Sequence, residues 1–185
     1  MKKIGFILIA ILSVSVLYAQ EEADNFSILL ENNKKDKELV KKLEDYKEGG
    51  IEKELDLKDV TIDQLIETAE GYLGTPHCMG GTTKECIDCS GLLYATFRDL
   101  GINVPRDSQD FSRYGKIIID VEELQRGDLV FFVKTYNTSK VITHSGIYLG
   151  DYKFIHTSTK NGVSISNVNG KYYWGEHFIF GTRIF

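Results

Sequence analysis

The sequence predicts an α+β domain in which helices come first and an antiparallel sheet follows. Apolar residues recur at helical spacing through residues 61–100, whereas short β-branched and aromatic runs separated by turn signals fill residues 116–185. Because helices and strands are segregated along the chain, the pattern favours α+β over alternating α/β architecture. A composition of 42% hydrophobic and 26% charged residues is ordinary for a globular chain.

Residues 1–19 carry the pattern of a signal peptide. Lys2 and Lys3 form a positive start, an apolar stretch follows, and Ala19 offers a small residue for cleavage. The apolar stretch is shorter than the roughly 20 residues of a membrane span, and no cysteine follows it as a lipoprotein signal requires. We therefore predict a periplasmic or secreted protein with no stable membrane anchor after cleavage; an uncleaved anchor is the alternative.

The formal net charge is -5 at pH 7, and the sequence has no basic cluster. A mildly acidic chain of this kind argues against nucleic acid as a partner and gives no electrostatic reason to bind anionic lipid. The sequence shows no repeats and no second domain, and we expect a monomer.

Residues 20–60 form a charged N-terminal extension or linker. Leu39, Leu43 and Tyr46 recur there at helical spacing and predict one short docked helix in an otherwise solvated segment. A regulatory lid is the alternative for this segment. The compact domain is placed at residues 61–185.

Two helices are predicted at the start of this domain. Thr61 and Gln64 form a capping-box pattern ahead of the first apolar stripe. The second helix runs from about Cys89 to Leu100, and Gly101 is its stop signal. The later runs "KIIIDV", "DLVFFVK", "HSGIYLG", "YKFIHTS", "GVSISNV" and "FIFGTRIF" predict a meandering antiparallel sheet.

All three cysteines lie between positions 78 and 89, and Cys89 stands at the predicted start of the second helix. A helix N-terminus presents unpaired N–H groups and partial positive charge, both of which favour a thiolate. The same N–H groups are able to hold the oxyanion that forms when a thiolate attacks a carbonyl. From position alone, a nucleophile and an inert buried cysteine remain alternatives.

Other interpretations of the cysteines compete with a nucleophile. Cys86 and Cys89 have the Cys-x-x-Cys spacing of a redox pair, but here the second cysteine begins the helix. His77 and the three cysteines would offer zinc ligands, yet the interval from Cys78 to Cys86 lacks the paired spacing of structural zinc. Cys78 and Cys86 form either a local disulfide or two free thiols. We predict no metal and no cofactor.

A nucleophilic cysteine needs a base, and the base needs an orienting group. His144 and His156 lie on adjacent predicted strands joined by a tight turn. Side by side on one face of the sheet, they would form a chain with Cys89 in which one histidine is the base and the other orients it. Satisfied core histidines are the alternative.

The segments "DCSGLLYATFRDLGINVPR", "LQRGDLVFF", "THSGIYLG" and "FIHTS" occur in this order, preceded by "LGTPHCMGG". Together they resemble the NlpC family of bacterial cell-wall cysteine peptidases over roughly residues 61–185. The resemblance implies a papain-like α+β fold, with N-terminal helices that carry the nucleophile packed on a C-terminal antiparallel sheet. It also implies Cys89 as nucleophile, His144 as base and His156 as the orienting residue.

The resemblance further implies a substrate. Such enzymes typically hydrolyse the bond between γ-D-glutamate and a diamino acid in peptidoglycan stem peptides, so a secreted endopeptidase of cell-wall turnover or recycling is implied, with stem peptides or muropeptide fragments as partners. Asp88 and Ser90 would help to recognise the N-terminal end of the peptide, although Asp88 is also a helix N-cap candidate. His77, beside the cleft, stands where the family commonly has tyrosine; it is the third residue implied to bind substrate, and it adds a titratable group there.

Arg106 and Asp128 match family positions as well, and we interpret both as structural residues that hold loop and strand ends. Two other functions remain as alternatives: a non-catalytic module that binds wall peptides, and a papain-like amidase or acyltransferase. The sequence does not choose between diaminopimelate and lysine, or between intact wall and soluble fragments.

Overall fold

A computed structural model of the protein describes residues 25–171 and 173–185. The predicted signal peptide at residues 1–19 lies outside the described residues. Within them, no helix has both the length and the apolar character needed to cross a membrane.

The helices of the described residues confirm the helical part of the prediction. They are α1 at 25–32, α2 at Lys37–Glu48, α3 at Ile62–Glu70, α4 at Cys89–Asp99, α5 at Ser108–Phe111 and α6 at Trp174–His177, with a 3₁₀ turn at Val121–Glu123. The predicted capping box is formed, because the Thr61 N–H donates to Gln64 Oε1 at 2.8 Å and the Gln64 N–H donates to Thr61 Oγ1 at 3.3 Å. Cys89 is the first residue of α4, as predicted.

The sheet has six strands among the described residues, and every neighbouring pair is antiparallel. The strands are β1 at Lys116–Ile118, β2 at Leu129–Phe132, β3 at His144–Gly150, β4 at Lys153–Ser158, β5 at Gly162–Asn167 and β6 at Phe178–Arg183. Strands β2 to β5 follow one another as a meander, as predicted. Strand β6 instead returns between β1 and β2, giving the order β1-β6-β2-β3-β4-β5. The prediction of a simple meander was wrong at this edge.

Helix α4 packs across β3 and β4 and thereby fixes the position of its own first turn. Its side chains Leu92, Leu93 and Phe97 are fully buried against the sheet. The Thr157 hydroxyl of β4 donates to the main-chain carbonyl of Asp88 at 3.2 Å, which joins the N-cap of α4 to the strand. The start of α4 is therefore held against strands β3 and β4.

The N-terminal extension packs on the same core. Leu39, Leu43 and Tyr46 of α2 are buried, at most 5% exposed, and belong to the main apolar cluster of the domain. Arg113 lies 4.3 Å from the centre of the Tyr46 ring and donates to the Tyr46 carbonyl at 2.6 Å. Midway along the helix, Lys42 donates to the Thr138 carbonyl in the β2–β3 connection at 3.2 Å.

Replacing Leu43 with alanine is expected to destabilise the protein by about 2–5 kcal/mol, because this fully buried side chain would leave a cavity. Urea unfolding measures the loss. The exposed Lys41 of the same helix provides a matched control, and Lys41→Ala is expected to change stability by less than about 0.5 kcal/mol. Equal stability of both variants would mean that α2 is not part of the folded core.

Candidate active site

The first turn of α4 is organised by the ionised side chain of Asp88. Its carboxylate accepts from the Gly91 N–H at 2.6 Å, the Gly80 N–H at 2.7 Å and Arg106 Nη2 at 2.8 Å. Burial on its own would raise the pKa of Asp88, but the hydrogen bonds from Arg106 and the two N–H groups hold the pKa below the usual 3.8. The N-cap role considered for Asp88 is present in the structure.

Ser90 and Arg106 complete this polar cluster. The Ser90 hydroxyl donates to Asp88 Oδ1 at 3.1 Å and accepts from Arg106 Nη1 at 2.6 Å. Arg106 Nη2 also donates to the Gly81 carbonyl at 3.2 Å. Arg106 thus holds a loop end, as predicted, and in addition holds Asp88 and Ser90, two of the side chains for which substrate recognition is predicted. That recognition role stays a prediction.

A disulfide closes the loop that precedes α4. Cys78 and Cys86 are joined, and Cys89 is free. This settles the choice between a disulfide and two free thiols, and it leaves Cys86 unable to act as a redox partner of Cys89 or as a zinc ligand. The loop packs closely on the helix, since a Cβ added to Gly91 would lie 2.1 Å from the Gly81 carbonyl oxygen. Gly91 is therefore required by the chain's own packing.

Cys89 lies against the start of β3. The backbone N–H groups of Ser90, of Ser145 and of Cys89 itself lower the pKa of the thiol, and Ser145 directly follows His144 in the chain. Burial and the nearby Asp88 carboxylate nevertheless raise the pKa of the Cys89 thiol to about 11. The helix start therefore favours the thiolate, as expected, but loss of hydration opposes it more strongly in the resting site.

The two histidines predicted to meet do so. His144 Nε2 and His156 Nδ1 are 2.9 Å apart, and both side chains are buried. This contact leaves Nδ1 as the ring nitrogen of His144 that is free to face another group. The far nitrogen of His156, Nε2, lies 2.8 Å from the hydroxyl of Ser166 on β5. A continuous line of polar groups therefore runs from β3 through β4 to β5.

Trp174, the one tryptophan of the chain, covers both histidine rings. Its ring stacks on His144 with centroids 4.8 Å apart and meets His156 edge-on at 4.7 Å. Phe154 also stacks on the His156 ring, with centroids 4.6 Å apart, and meets Trp174 edge-on at 5.3 Å. These rings restrict both imidazoles and keep water from them, which is how a base and its orienting group are held in one geometry.

The third histidine predicted for the site, His77, lies close enough to His144 for its charge to affect it. Burial lowers the pKa of His144 well below 6.5, and the charges of His156 and His77 lower it further. His77 is half-buried, and its backbone pairs with that of Ile87 in a single β-bridge beside the disulfide loop. The structure thus brings the predicted substrate-binding and catalytic residues to one region. They are Asp88, Ser90 and His77, and Cys89, His144 and His156. The roles of all six stay predictions.

This geometry is accompanied by a clear sequence relationship. Residues 74–183, more than half of the chain, match the NlpC/P60 family. The chain belongs to the NlpC/P60 family.

Relatives in the NlpC/P60 family are similar over the same region. A probable endopeptidase NlpC homolog from Haemophilus influenzae is 40% identical over 121 residues, which are 65% of this chain and 61% of that protein. Murein DD-endopeptidase MepS/murein LD-carboxypeptidase from Escherichia coli is 35% identical over 136 residues, covering 73% of this chain and 67% of that protein. Gamma-D-glutamyl-L-lysine dipeptidyl-peptidase from Bacillus cereus is 36% identical over 123 residues, 66% of this chain and 36% of the relative. These names support hydrolase activity of the cysteine peptidase class.

The fold is that of the NlpC/P60 family as well. A crystal structure of an NlpC/P60 family protein from Bacillus cereus superposes with a TM-score of 0.60 at 33% identity, over 69% of this chain and 41% of that chain. The predicted α+β, papain-like fold is thereby confirmed, with α4 carrying Cys89 onto the antiparallel sheet.

Two residues of this NlpC/P60 site were missed by the sequence analysis. Ser166 and Trp174 lie against the histidines, yet neither belongs to the segments that carry the family resemblance. A signal for Ser166 was present, because alternation along β5 places Ser164 and Ser166 on one face, opposite His156 and Phe154. For Trp174 no signal existed, since it begins a short helix of four residues.

The pH dependence of activity should follow the lowered histidine pKa values. A base is competent while it is deprotonated, so activity is lost as the pH falls through its pKa. Because burial lowers the pKa of His144 well below 6.5 and that of His156 to about 4, kcat/KM is expected to stay level through pH 6.5 and to fall only in more acidic buffer. A pH–rate profile with an acid limb centred at 6.5 or above would contradict this assignment.

Proposed function

We propose that the protein is an exported cysteine endopeptidase that hydrolyses peptidoglycan stem peptides at the bond between γ-D-glutamate and a diamino acid. The observation that carries the proposal is the contact of His144 with His156 beneath Trp174, on the strand whose Ser145 N–H lowers the pKa of the Cys89 thiol at the start of α4. The coarser statement, hydrolysis of peptidoglycan, is supported by the family and by the names of its relatives.

In the proposed reaction, the Cys89 thiol is protonated at rest because its pKa is raised to about 11. As the substrate carbonyl approaches, His144 takes the thiol proton on Nδ1 and the sulfur attacks the γ-glutamyl carbonyl carbon. The Cys89 N–H at the helix start donates to the resulting oxyanion. His144 then gives its proton to the leaving amine of the diamino acid.

The second half of the reaction uses the same groups. Water enters as the amine leaves, His144 accepts one of its protons, and the hydroxide adds to the thioester carbonyl. Collapse of that intermediate breaks the carbon–sulfur bond and returns the proton to Cys89. His156 holds the His144 ring throughout and itself exchanges no proton with the substrate.

A second candidate is cleavage of the cross-link between two stem peptides. It is favoured by the match to the Escherichia coli relative, which is named a DD-endopeptidase and which covers more of this chain than the other two relatives do. The polar cluster of Asp88, Ser90 and Arg106 at the helix start is the part of the site where the two substrates would differ, since it lies where the N-terminal end of a stem peptide is predicted to bind.

Digestion of defined muropeptides tests the proposal. The substrates are stem peptides with diaminopimelate or lysine, each with the L-alanine amine free or acylated, and a cross-linked dimer. Wild type and Cys89→Ala are compared by mass spectrometry. Release of the diamino acid fragment by the wild type alone is expected. Cleavage of the dimer only would replace the proposed bond by the cross-link, and failure to cleave any substrate would overturn the enzyme assignment in favour of a binding module.

A further inference from the structure

The line of hydrogen bonds at the site does not end at His156. Ser166 lies on β5, and its hydroxyl oxygen is 2.8 Å from His156 Nε2. The strand register explains the contact: Phe154 pairs with Ser166 and His156 pairs with Ser164, so these four side chains share one face of the sheet. Ser166 reaches His156 diagonally across that face.

The position of one proton decides whether His144 is able to act as a base. The 2.9 Å contact between His144 Nε2 and His156 Nδ1 holds a single proton when both rings are neutral. If His144 carries that proton, its Nδ1 is bare and is able to accept from Cys89. If His156 carries it instead, the neutral His144 ring is protonated at Nδ1 and is blocked as a base.

Which tautomer forms depends on the contact that His156 makes through its other ring nitrogen, Nε2. In the productive arrangement, neutral His156 accepts at Nδ1 and therefore carries its own proton at Nε2. That N–H group needs an acceptor, because His156 is only 1% exposed and a buried donor without a partner is costly. The Ser166 oxygen is the acceptor that the structure provides.

We propose that Ser166 is a positioning residue: its hydroxyl oxygen accepts a hydrogen bond from the Nε2–H of His156 and so keeps His144 in the tautomer that accepts the thiol proton. The proposal rests on the proposed function of the site. When His144 becomes charged during the reaction, its Nε2–H bond to His156 becomes charge-assisted and the His156 bond to Ser166 strengthens with it. No proton leaves His156 in this arrangement, so the only transfer is from Cys89 to His144.

Measurements of kcat and KM for three variants test whether Ser166 affects the reaction. Ser166→Ala is expected to lower kcat about tenfold with little change in KM, because the tautomer balance affects the chemical step and not substrate binding. Ser166→Thr retains the hydroxyl and should restore most of the loss. Ser164→Ala is the matched control, since it makes the same change on the same strand and face, and its kcat should equal that of the wild type.

Nitrogen-15 NMR of labelled histidine tests the same proposal without a substrate. Wild-type His156 is expected to be protonated at Nε2, and Ser166→Ala should increase the population protonated at Nδ1, whereas Ser164→Ala should not. An unchanged tautomer in Ser166→Ala would overturn the proposal, as would an equal loss of kcat in both alanine variants. Because the NMR measurement needs no cleavage, it decides the role of Ser166 even if the proposed substrate is wrong.

Discussion

Replacing Cys89 with alanine is expected to lower kcat on a muropeptide substrate by at least about 10³-fold. The sulfur forms the covalent bond to the substrate carbonyl, and no other thiol is available because Cys78 and Cys86 are joined to each other. The fold should persist, since α4 is capped by Asp88 and packed by residues other than Cys89. We expect the free energy of unfolding to change by less than about 1 kcal/mol.

Activity and thermal unfolding measured side by side test this expectation, with Cys89→Ser as the companion variant that keeps the shape of the side chain. Both should lose activity and keep their melting temperature. A variant that retains a tenth or more of the wild-type kcat would show that Cys89 is not the nucleophile. If one of the two variants is unfolded, its activity says nothing about the nucleophile. The activity of the variant that keeps the wild-type melting temperature then decides.

Alkylation of the free thiol adds a check on its protonation. Because the pKa of Cys89 is raised to about 11, iodoacetamide should label the resting protein slowly at pH 7 and progressively faster as the pH rises towards that value. Cys89→Ala is the control and should not be labelled. Fast labelling at neutral pH would mean that the thiol is ionised at rest and that the helix N-terminus outweighs burial.

Features that depend on neighbouring residues in the chain were predictable from the sequence. The capping box of Thr61 and Gln64 and the start of α4 at Cys89 follow from local hydrogen bonding and side-chain periodicity. The contact of His144 with His156 was also predictable, because two strands joined by a tight turn are bound to pair.

Features that depend on distant pairing were not predictable in this way. Strand β6 lies between β1 and β2. Its position depends on the burial of both its faces by other parts of the chain, which the hydrophobic pattern of its own residues does not reveal. The raised pKa of Cys89 has the same origin, since desolvation depends on what the rest of the chain places around the sulfur. In the N-terminal extension the docked helix α2 was predicted, whereas the burial of Phe26 and Leu29 on α1 was not.

His144→Ala is expected to cost about 10³-fold in kcat, and His156→Ala roughly tenfold less than that. His144 exchanges the proton with Cys89, so its loss removes the base and the acid that protonates the leaving amine. His156 acts only through its 2.9 Å contact with His144, and the stacked Trp174 still restricts the His144 ring when His156 is removed. Part of the orientation therefore survives in His156→Ala.

Two further variants sharpen the comparison. His156→Asn replaces the ring with an amide whose oxygen is able to accept from His144 Nε2, and it should retain more activity than His156→Ala. His177 is the matched control, because its Nδ1 bonds to the Val133 carbonyl at 2.9 Å and not to the histidine pair, and His177→Ala should keep kcat within about threefold of the wild type. If His156→Ala were more damaging than His144→Ala, the assigned roles of base and orienting residue would have to be exchanged.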